Sequence, residues 1–432
     1  MDKQTVQRIR DAIDRRFDEQ VDFLSEISSH ASTRGAEQSA QRFMRDQLQE
    51  RGYQTDMWEI DVGEISSLPG FSPVIGNYDE ALNLVATHRG GTGGGRSLIL
   101  NGHIDVVPEG PLDMWHRPPY EPWCEDGWMY GRGTGDMKAG LVANLFALDG
   151  LREAGYQPAA SLYFQSVVEE ECTGNGALAC LQRGYQADAA LIPEPFDEKL
   201  VTAQVGIIWM QVYLRGTPVH AMQTSSGVNA IEAAIPLIAA LRRLEKDWNA
   251  GDKHPRFEHV DHPLNLNIGR IQGGDWASSV PAWCCFDVRM GIYPGQDIEA
   301  AGRKLEECIL DASQEDPYLR KNPPQITYHG FRAEGYSLAD HDKPEAHEAR
   351  QVLERAHHAV TGDELQAMPI TATTDARFFG LYADTPALVY GPRAESIHGF
   401  NERVDLESTR RVTHSIALFV ADWCGLEKIN RK

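Results

Sequence analysis

The chain has 432 residues, of which 42% are hydrophobic and 24% charged, a composition that excludes a disordered tail or a fibre. At roughly 100–200 residues per domain, this length predicts two or three domains. The 63 acidic residues outnumber the 41 basic ones and give a net charge of -22, which excludes nucleic acid as an expected partner because such a surface repels phosphate backbones.

Neither membrane insertion nor export is indicated. No apolar run approaches the ~20 residues that a membrane span needs, and the N-terminus lacks the apolar segment of a signal peptide. The seven cysteines include no C-x-x-C pair, which favours reduced thiols over a disulfide framework. We therefore expect a cytoplasmic protein with no membrane partner.

The first predicted elements are helices and then two strands. Apolar residues recur at steps of three and four from Val6 to Ile27 and predict a helix, and a second helix is predicted over 37–52. The segments ALNLVATHRG and RSLILNGHIDVV are predicted to be strands. The GGTGGG between them predicts a hairpin turn rather than a phosphate loop, because no Lys-Ser/Thr follows it and a strand comes next.

Strands and helices alternate from there to about residue 205. Helices are predicted over 137–155 and 174–185, and apolar strands over 161–168 and 187–193. Nearly continuous apolar strands that alternate with helices predict a parallel sheet covered on both faces.

The pattern changes at about residue 206 to the order βαββαβ, which is ferredoxin-like. After residue 332 a helix, a strand and a closing helix resume the earlier pattern. We predict an α/β catalytic domain with a largely parallel central sheet over 1–205 and 333–432, interrupted by an inserted α+β domain over 206–332.

Candidate metal ligands follow the predicted strands at their carboxyl ends, where open parallel sheets bind ligands. His103 and Asp105 follow SLILN, the three glutamates 169–171 follow SLYFQSVV, and Glu194 follows ALIP. Asp136 precedes a long helix, where it also suits an N-cap. Each feature has an ordinary structural explanation by itself. Adjacent glutamates at the end of a buried strand are nevertheless costly without a counter-ion, which a divalent cation supplies.

A second candidate histidine, His398, lies in the loop between the strand PALVYG and the last helix. Two histidines with four or five carboxylates suit zinc, cobalt or manganese better than calcium or magnesium. With one bridging carboxylate, such a set can hold two ions about 3.5 Å apart. We therefore expect two divalent metal ions per subunit, zinc first, with cobalt or manganese as substitutes.

Several motifs together resemble a known family. GHIDVVP, GRGTGDMKAG, the Glu-Glu pair before GNGA, IPEP, GTPVHA, TTDARFF and HGFNE are similar to those of the acetylornithine deacetylase / succinyl-diaminopimelate desuccinylase / glutamate carboxypeptidase family of dinuclear zinc hydrolases. The resemblance covers nearly the whole chain. It implies that the inserted domain is a lid and dimerisation domain and that the protein is a homodimer.

The resemblance also implies roles for individual residues. The metal ligands would be His103 and Glu194 for one ion, His398 and Glu171 for the other, and Asp136 as the bridge. Glu170 would be the general base and Asp105 would orient His103. His220, in GTPVHA, would reach the partner subunit's site and stabilise the oxyanion. The count back from Gly176 selects Glu170 and Glu171 as the glutamate pair, and residues 169 and 170 are the alternative.

The substrate is less well specified. Asn267, Arg289 and Arg332 lie where related enzymes bind the substrate carboxylate, although an arginine at a strand end is commonly a surface ion pair. The loop TATTDARFF departs from the family's glycine-rich version, so specificity does not carry over. The stretch 254–262 is expected to be a solvated loop, and Cys172 a small buried thiol.

These observations predict a metal-dependent amidohydrolase that removes the acyl group from a small N-acylated amino acid. Attack would come from a metal-bridging hydroxide, with Glu170 as the base. A dipeptidase or carboxypeptidase with the same dinuclear site is the alternative, and a non-catalytic metal-binding dimer is the remote one.

Overall fold

A computed structural model describes residues 1–91 and 94–429. The helices of the described chain are α1 (Lys3–Arg15), α2 (Phe17–Ser29), α3 (Gln38–Glu50), α4 (Val62–Ile65), α5 (Ala139–Glu153), α6 (Asn175–Gln182), α7 (Ala230–Ala250), α8 (Ile298–Ser313), α9 (Pro344–Thr361) and α10 (Leu406–Trp423).

The strands in the first half of the chain are β1 (Gln54–Glu59), β2 (Leu82–His88), β3 (Leu98–His103), β4 (Trp123–Glu125), β5 (Trp128–Tyr130), β6 (Tyr156–Pro158), β7 (Leu162–Val167), β8 (Ala189–Ile192), β9 (Leu200–Gln204) and β10 (Gly206–Arg215). Those in the second half are β11 (Leu266–Gly273), β12 (Trp283–Ile292), β13 (Gln325–Ala333), β14 (Tyr336–Ser337), β15 (Ala367–Ile370), β16 (Ala387–Val389), β17 (Ala394–Glu395), β18 (Arg403–Asp405) and β19 (Leu426–Lys428).

The largest layer is a mixed sheet in the order β1-β2-β7-β3-β8-β16-β9-β14, with β15 paired to β9. Its four central strands, β7, β3, β8 and β16, are parallel neighbours. Antiparallel strands flank them on both sides. Helix α5 packs between this sheet and α1, α2 and α10, which is why it is buried nearly all round. The predicted α/β architecture with a parallel centre is confirmed.

The hairpin predicted between β2 and β3 is wrong. Strand β7 lies between them, antiparallel to β2 and parallel to β3. The glycines have another physical role: a Cβ on Gly95 would lie 1.9 Å from the backbone oxygen of Cys424, so the segment passes tightly against the end of α10. Thr92 and Gly93, which belong to the predicted turn, lie outside the described residues.

The opening helix is also divided. It was predicted to run continuously from Val6 to Ile27, but α1 ends at Arg15 and α2 begins at Phe17. Between them Arg16 has φ -104° and ψ 6°, and its guanidinium lies 2.6 Å from Glu19 and 3.3 Å from the buried Asp149. The break lets Arg16 compensate that buried carboxylate on α5.

A second sheet, antiparallel and in the order β11-β12-β10-β13, belongs to the inserted segment. Helices α7 and α8 contact each other, and this segment has its own apolar core, which includes Phe257, Phe286 and Leu305. The element order is the predicted βαββαβ. We keep the boundaries at residues 206 and 332 as a proposal. We call this segment the lid.

Two smaller sheets complete the fold. Strands β17-β18-β5-β4 form one, and β19 pairs with β6 in the other. The β5–β18 pairing matters for the site, because it joins the segment before α5 to the segment after β16. Within the described ranges, no helix combines the length and apolar character that crossing a membrane requires.

One close contact links α5 to the strand end that carries Glu194. A Cβ on Gly140 would lie 2.0 Å from the backbone oxygen of Pro193. We expect Gly140→Ala to lower the free energy of unfolding by about 1–3 kcal/mol, the usual cost of overpacking a core. Urea denaturation measures this. Gly251→Ala is the control, because its nearest atom lies 3.5 Å away; equal stability of the two variants would contradict the prediction.

Candidate metal centre

The predicted ligands converge at one edge of the main sheet. His103 is the last residue of β3, the glutamates 169–171 follow β7, and Glu194 follows β8. His398 lies in the loop after β16, and Asp136 lies just before α5. Because β7, β3, β8 and β16 are adjacent and parallel, their carboxyl ends deliver these side chains to the same place.

Asp136 is the centre of the cluster. Its Oδ1 lies 3.1 Å from Nε2 of His103, and its Oδ2 lies 3.3 Å from Nε2 of His398. The two carboxylate oxygens thus face two different imidazoles, which is the arrangement a bridging ligand needs.

Each imidazole also faces further carboxylates. Nε2 of His103 lies 3.6 Å from Oε1 of Glu194 and 3.8 Å from Oε2 of Glu170. Nε2 of His398 lies 3.1 Å from Oε2 of Glu171. Two overlapping groups of potential metal ligands result, in each of which all ligand atoms lie within 4.8 Å of one another: His103, Asp136, Glu171 and His103, Glu170, Glu194.

Glu169 points elsewhere. Its backbone has φ +70°, which turns its side chain away from those of the next two glutamates. One carboxylate oxygen lies 2.6 Å from Nε of Arg34, and the other accepts hydrogen bonds from the Cys172 thiol and the Thr173 hydroxyl. The geometry thus brings Glu170 and Glu171, and not Glu169, to the cluster, and it makes Cys172 a buried partner of Glu169.

Asp105 supports the cluster in a way that differs from the expectation. Nδ1 of His103 donates a hydrogen bond to the backbone carbonyl oxygen of Asp105 at 2.8 Å, which leaves Nε2 of the histidine to face the cluster. The carboxylate of Asp105 lies 3.7 Å from that nitrogen and instead accepts the backbone N–H groups of Glu170 and Glu171. Asp105 therefore positions both the histidine and the glutamate pair.

The cluster contains more carboxylates than basic groups, so its charge is balanced only if positive charge is added. Burial, together with nearby carboxylates, raises the pKa of Glu170 and of Glu194 well above the ordinary range. Although burial opposes it, hydrogen bonds from both histidines lower the pKa of Asp136. Despite burial, Glu171 and Asp136 raise the pKa of His398 to about 11. Oε1 of Glu171 is buried and has no hydrogen-bond partner among the described residues. This donor set fits divalent cations.

A buried ion pair that sequence reasoning missed holds Asp136 in place. Arg132 lies 2.5 Å from Glu402, and both side chains are almost fully buried. The other oxygen of Glu402 accepts the backbone N–H groups of Gly135 and Asp136 at 3.0 Å. Arg132 lies in the motif GRGTGDM and Glu402 in the motif HGFNE, so the two motifs that supply Asp136 and His398 also supply this ion pair.

Asp375 was also missed, although it lies in the quoted TTDARFF motif. It is buried, and one of its oxygens has no hydrogen-bond partner in the described part of the chain. Burial raises its pKa to about 7. The charge of Asp375 contributes to the raised pKa of both Glu170 and Glu194, so it adds to the excess of carboxylates at the cluster.

A cavity of about 680 Å³ lies between the cluster and the lid sheet. The residues lining it include Ile75, Glu170, Glu171, Ile207, Trp209, Asn267, Asp287, Arg289, His329, Phe331, Thr373 and His398. Asn267 and Arg289, two of the residues expected to contact the substrate, both line this cavity. Arg289 donates to the backbone oxygens of Asn265 and Thr371 and so spans the lid and the main sheet.

Arg332 is not at the cavity, and this expectation is wrong. Phe331 faces the cavity, and side chains alternate along a strand, so Arg332 points to the opposite face of β13. There its guanidinium lies 2.6 Å from Glu299 of α8 and over the ring of Tyr328.

His220 lies outside the cluster within one chain. It is exposed and precedes the short helical segment 221–226, where its Nδ1 accepts the backbone N–H of Met222. The stretch 254–262 forms no metal-ligand group in the described chain: His262 pairs with Glu245 at 3.0 Å, and His254 stacks on Tyr293.

Comparison with known proteins assigns the class. The model of peptidase family M20/M25/M40 matches residues 99–422, and the chain belongs to this family. It is therefore a metal-dependent hydrolase of amide bonds, and the resemblance seen in the motifs is confirmed.

Among similar proteins, the N-formyl-4-amino-5-aminomethyl-2-methylpyrimidine deformylase of Halalkalibacterium halodurans is 30% identical, covering 90% of this chain and 90% of the relative. The acetylornithine deacetylase of Erwinia tasmaniensis is 28% identical, covering 85% and 89%. The solved structure of a dipeptidase from Saccharomyces cerevisiae has a TM-score of 0.76 at 15% identity, covering 97% and 98%, and shows the shared fold.

The cluster predicts a strong effect of metal on stability. We expect Zn²⁺ to raise the unfolding temperature and to bind at about two ions per chain, because cations relieve the repulsion among buried carboxylates. Asp136→Asn should lose both ions and most of the temperature shift, measured by calorimetry and elemental analysis. Asp261→Asn, at an exposed position on the lid, is the control. Retention of both ions by Asp136→Asn would show that this residue does not bridge them.

Proposed function

We propose that this protein removes the acyl group from a small N-acylated amino acid. The observation that carries the proposal is Asp136 placed between His103 and His398, with Glu170 beside them at the cavity. A base next to a metal cluster has no use in a protein that only binds metal, whereas amide hydrolysis requires one.

The metal ions would be zinc, with cobalt or manganese as substitutes. His103 and Glu194 would hold one ion, His398 and Glu171 the other, and Asp136 would bridge them. Bound there, two divalent cations supply Lewis acidity, which lowers the pKa of a water molecule and polarises the amide carbonyl.

Glu170 would move the proton. Its carboxylate faces the cavity and has a pKa raised by burial, so it can take a proton from the attacking water and pass it to the leaving amine. The carboxylate of Asp105 accepts a hydrogen bond from the backbone N–H of Glu170, which fixes the direction of the Glu170 side chain. Asp105 is therefore a positioning residue in this scheme.

Asn267 and Arg289 would bind the substrate carboxylate. Both line the cavity, and the hydrogen bonds of the Arg289 guanidinium in the described chain go to the backbone oxygens of Asn265 and Thr371 rather than to a carboxylate. Burial lowers the pKa of Arg289 to about 10, which still leaves it cationic at neutral pH. An unpaired guanidinium in a cavity favours an anionic substrate group.

A second candidate is removal of a formyl group from an N-formyl aminomethylpyrimidine, the kind of compound that the name of the Halalkalibacterium halodurans relative describes for that protein. The aromatic lining of the cavity favours it: Trp209 and Phe331 meet edge to face at 5.2 Å. Dipeptide hydrolysis uses the same site and is the third outcome for a substrate panel.

We further propose that the lid forms a homodimer and that His220 acts in the partner's site. Large apolar side chains are exposed on the lid, namely Met222, Ile235, Ile271 and Trp276. Exposed apolar side chains of this size are typical of protein–protein interfaces when they lie together on one surface. The free edge of β11 lies in the same part of the lid. Seven free cysteines support a cytoplasmic location.

Glu170→Gln tests the base. We expect turnover of N-acetyl, N-succinyl and N-formyl amino acids to fall by about 100-fold or more, while metal content stays unchanged. Release of primary amine measures turnover. Glu169→Gln is the matched control, because that carboxylate faces Arg34 rather than the cluster. Loss of metal together with turnover in Glu170→Gln would instead make Glu170 a ligand.

Mixed dimers test His220. If His220 acts across the interface, mixing inactive Glu170→Gln and His220→Ala dimers restores one intact site in each heterodimer. Activity should then recover to about one quarter of the wild-type rate after full exchange. If His220 instead acts in the site of its own chain, each chain of the heterodimer has a defective site and the mixture stays inactive.

A further inference from the structure

Asp287 is a carboxylate that neither the metal cluster nor the proposed mechanism uses. It lies on β12 two residues before Arg289, and both line the cavity. Alternate residues of a strand share one face and lie about 7 Å apart. Strand β12 therefore presents a positive and a negative side chain to the cavity side by side, and Arg270 of β11 lines the same cavity.

Asp287 forms no ion pair with a lysine or arginine of the described chain. Its Oδ1 accepts a hydrogen bond from Gln211 at 2.9 Å, and Nε2 of His329 lies 4.0 Å away. Arg270 is opposite it in the strand register, but among the described residues no lysine or arginine nitrogen lies within 4.0 Å of its carboxylate. The Asp287 side chain is 25% exposed. A partly enclosed, unpaired carboxylate favours a cationic or N–H-donating group of a ligand.

The surface beside Arg289 and Asp287 is aromatic. Trp209 is the cross-strand partner of Arg289, and Gln211 is the partner of Asp287. Phe331 stands at 89° to the Trp209 ring and lines the same cavity. His329 lines it as well, and its Nδ1 is buried without a hydrogen-bond partner in the described chain. A group that extends from Arg289 to Asp287 would pass along this apolar surface.

We propose that Asp287, with His329 beside it, recognises a second nitrogen on the amine portion of the substrate, remote from the amide that is cut. The substrate class is then N-acyl compounds that carry a further basic or N–H-donating nitrogen. The inference rests on the proposed function, because it concerns the specificity of that same site. An aliphatic ammonium group and an amino group on a heteroaromatic ring share this chemistry.

Matched substrate pairs separate the contribution of that nitrogen. The aliphatic pair is Nα-acetyl-L-ornithine and Nα-acetyl-L-norvaline, which differ only by the terminal amine. The aromatic pair is an N-formyl aminomethylpyrimidine with and without its ring amino group. We expect the wild-type kcat/KM to be about 10- to 100-fold higher for the amine-bearing member of at least one pair, since hydrogen bonds to charged groups are of this strength. The pair that shows the preference identifies the source of the nitrogen.

For the aliphatic pair, Asp287→Asn should reduce that ratio to within about threefold of unity, because the amide cannot supply the negative charge. For the aromatic pair, Asp287→Ala should do the same, because it removes the hydrogen-bond acceptor. The ratio is measured within one preparation, so partial misfolding does not change it. Asp311→Asn removes the same charge from an exposed position on α8 and should keep the wild-type ratio. The inference is overturned if the wild-type enzyme hydrolyses both members of each pair equally well, or if the preference is unchanged in Asp287→Asn for the aliphatic pair or in Asp287→Ala for the aromatic pair.

Binding measurements separate this inference from the proposed function. Glu170→Gln, loaded with Zn²⁺, should bind the amine-bearing member of the preferred pair more tightly by calorimetry. Addition of Asp287→Asn for the aliphatic pair, or of Asp287→Ala for the aromatic pair, should remove that difference. If the wild-type enzyme hydrolyses none of the four compounds yet Glu170→Gln shows this preference, the proposed function fails and the inference stands. Equal binding of both members of each pair overturns the inference.

Discussion

The structure depends on keeping several carboxylates together in a buried place where they repel one another. Asp136 is the centre of this arrangement, since its two oxygens face His103 and His398 from opposite parts of the chain. Its backbone is held by Glu402, which accepts a hydrogen bond from the Asp136 N–H. Arg132 compensates the negative charge of Glu402. Strands β5 and β18 bring these two supporting residues together. Divalent cations complete the balance of charge that the protein leaves negative.

A second constraint sorts three consecutive glutamates into two roles. The backbone of Glu169 adopts a left-handed conformation and its side chain is held by Arg34, while Asp105 binds the next two backbone N–H groups. Such a conformation is costly for a residue other than glycine and persists only where the surroundings enforce it. As a result, Glu169 is held outside the cluster by Arg34, and the side chains of Glu170 and Glu171 point into it.

Sequence patterns predicted the parallel centre of the sheet and the ligands at its edge, because strand hydrophobicity and strand-end position are local properties. Predictions from these patterns failed for residues whose position depends on contacts between segments that are distant in the chain. The glycines after β2 were interpreted as a hairpin because turn chemistry is local, whereas the insertion of β7 is not. Arg332 was misplaced because its direction depends on the register of β13. The role of Glu402 needed the contact between two motifs that are far apart in the chain.

The most direct test of the account is a crystal structure of the protein grown with Zn²⁺, with anomalous diffraction recorded at the zinc edge. Two peaks about 3.5 Å apart are expected. Asp136 should lie between them, His103 and Glu194 should contact one, and His398 and Glu171 should contact the other. Glu170 should contact neither ion and face the cavity. A single peak, or a peak ligated by Glu169 or by Glu170 in place of Glu171, would contradict the account.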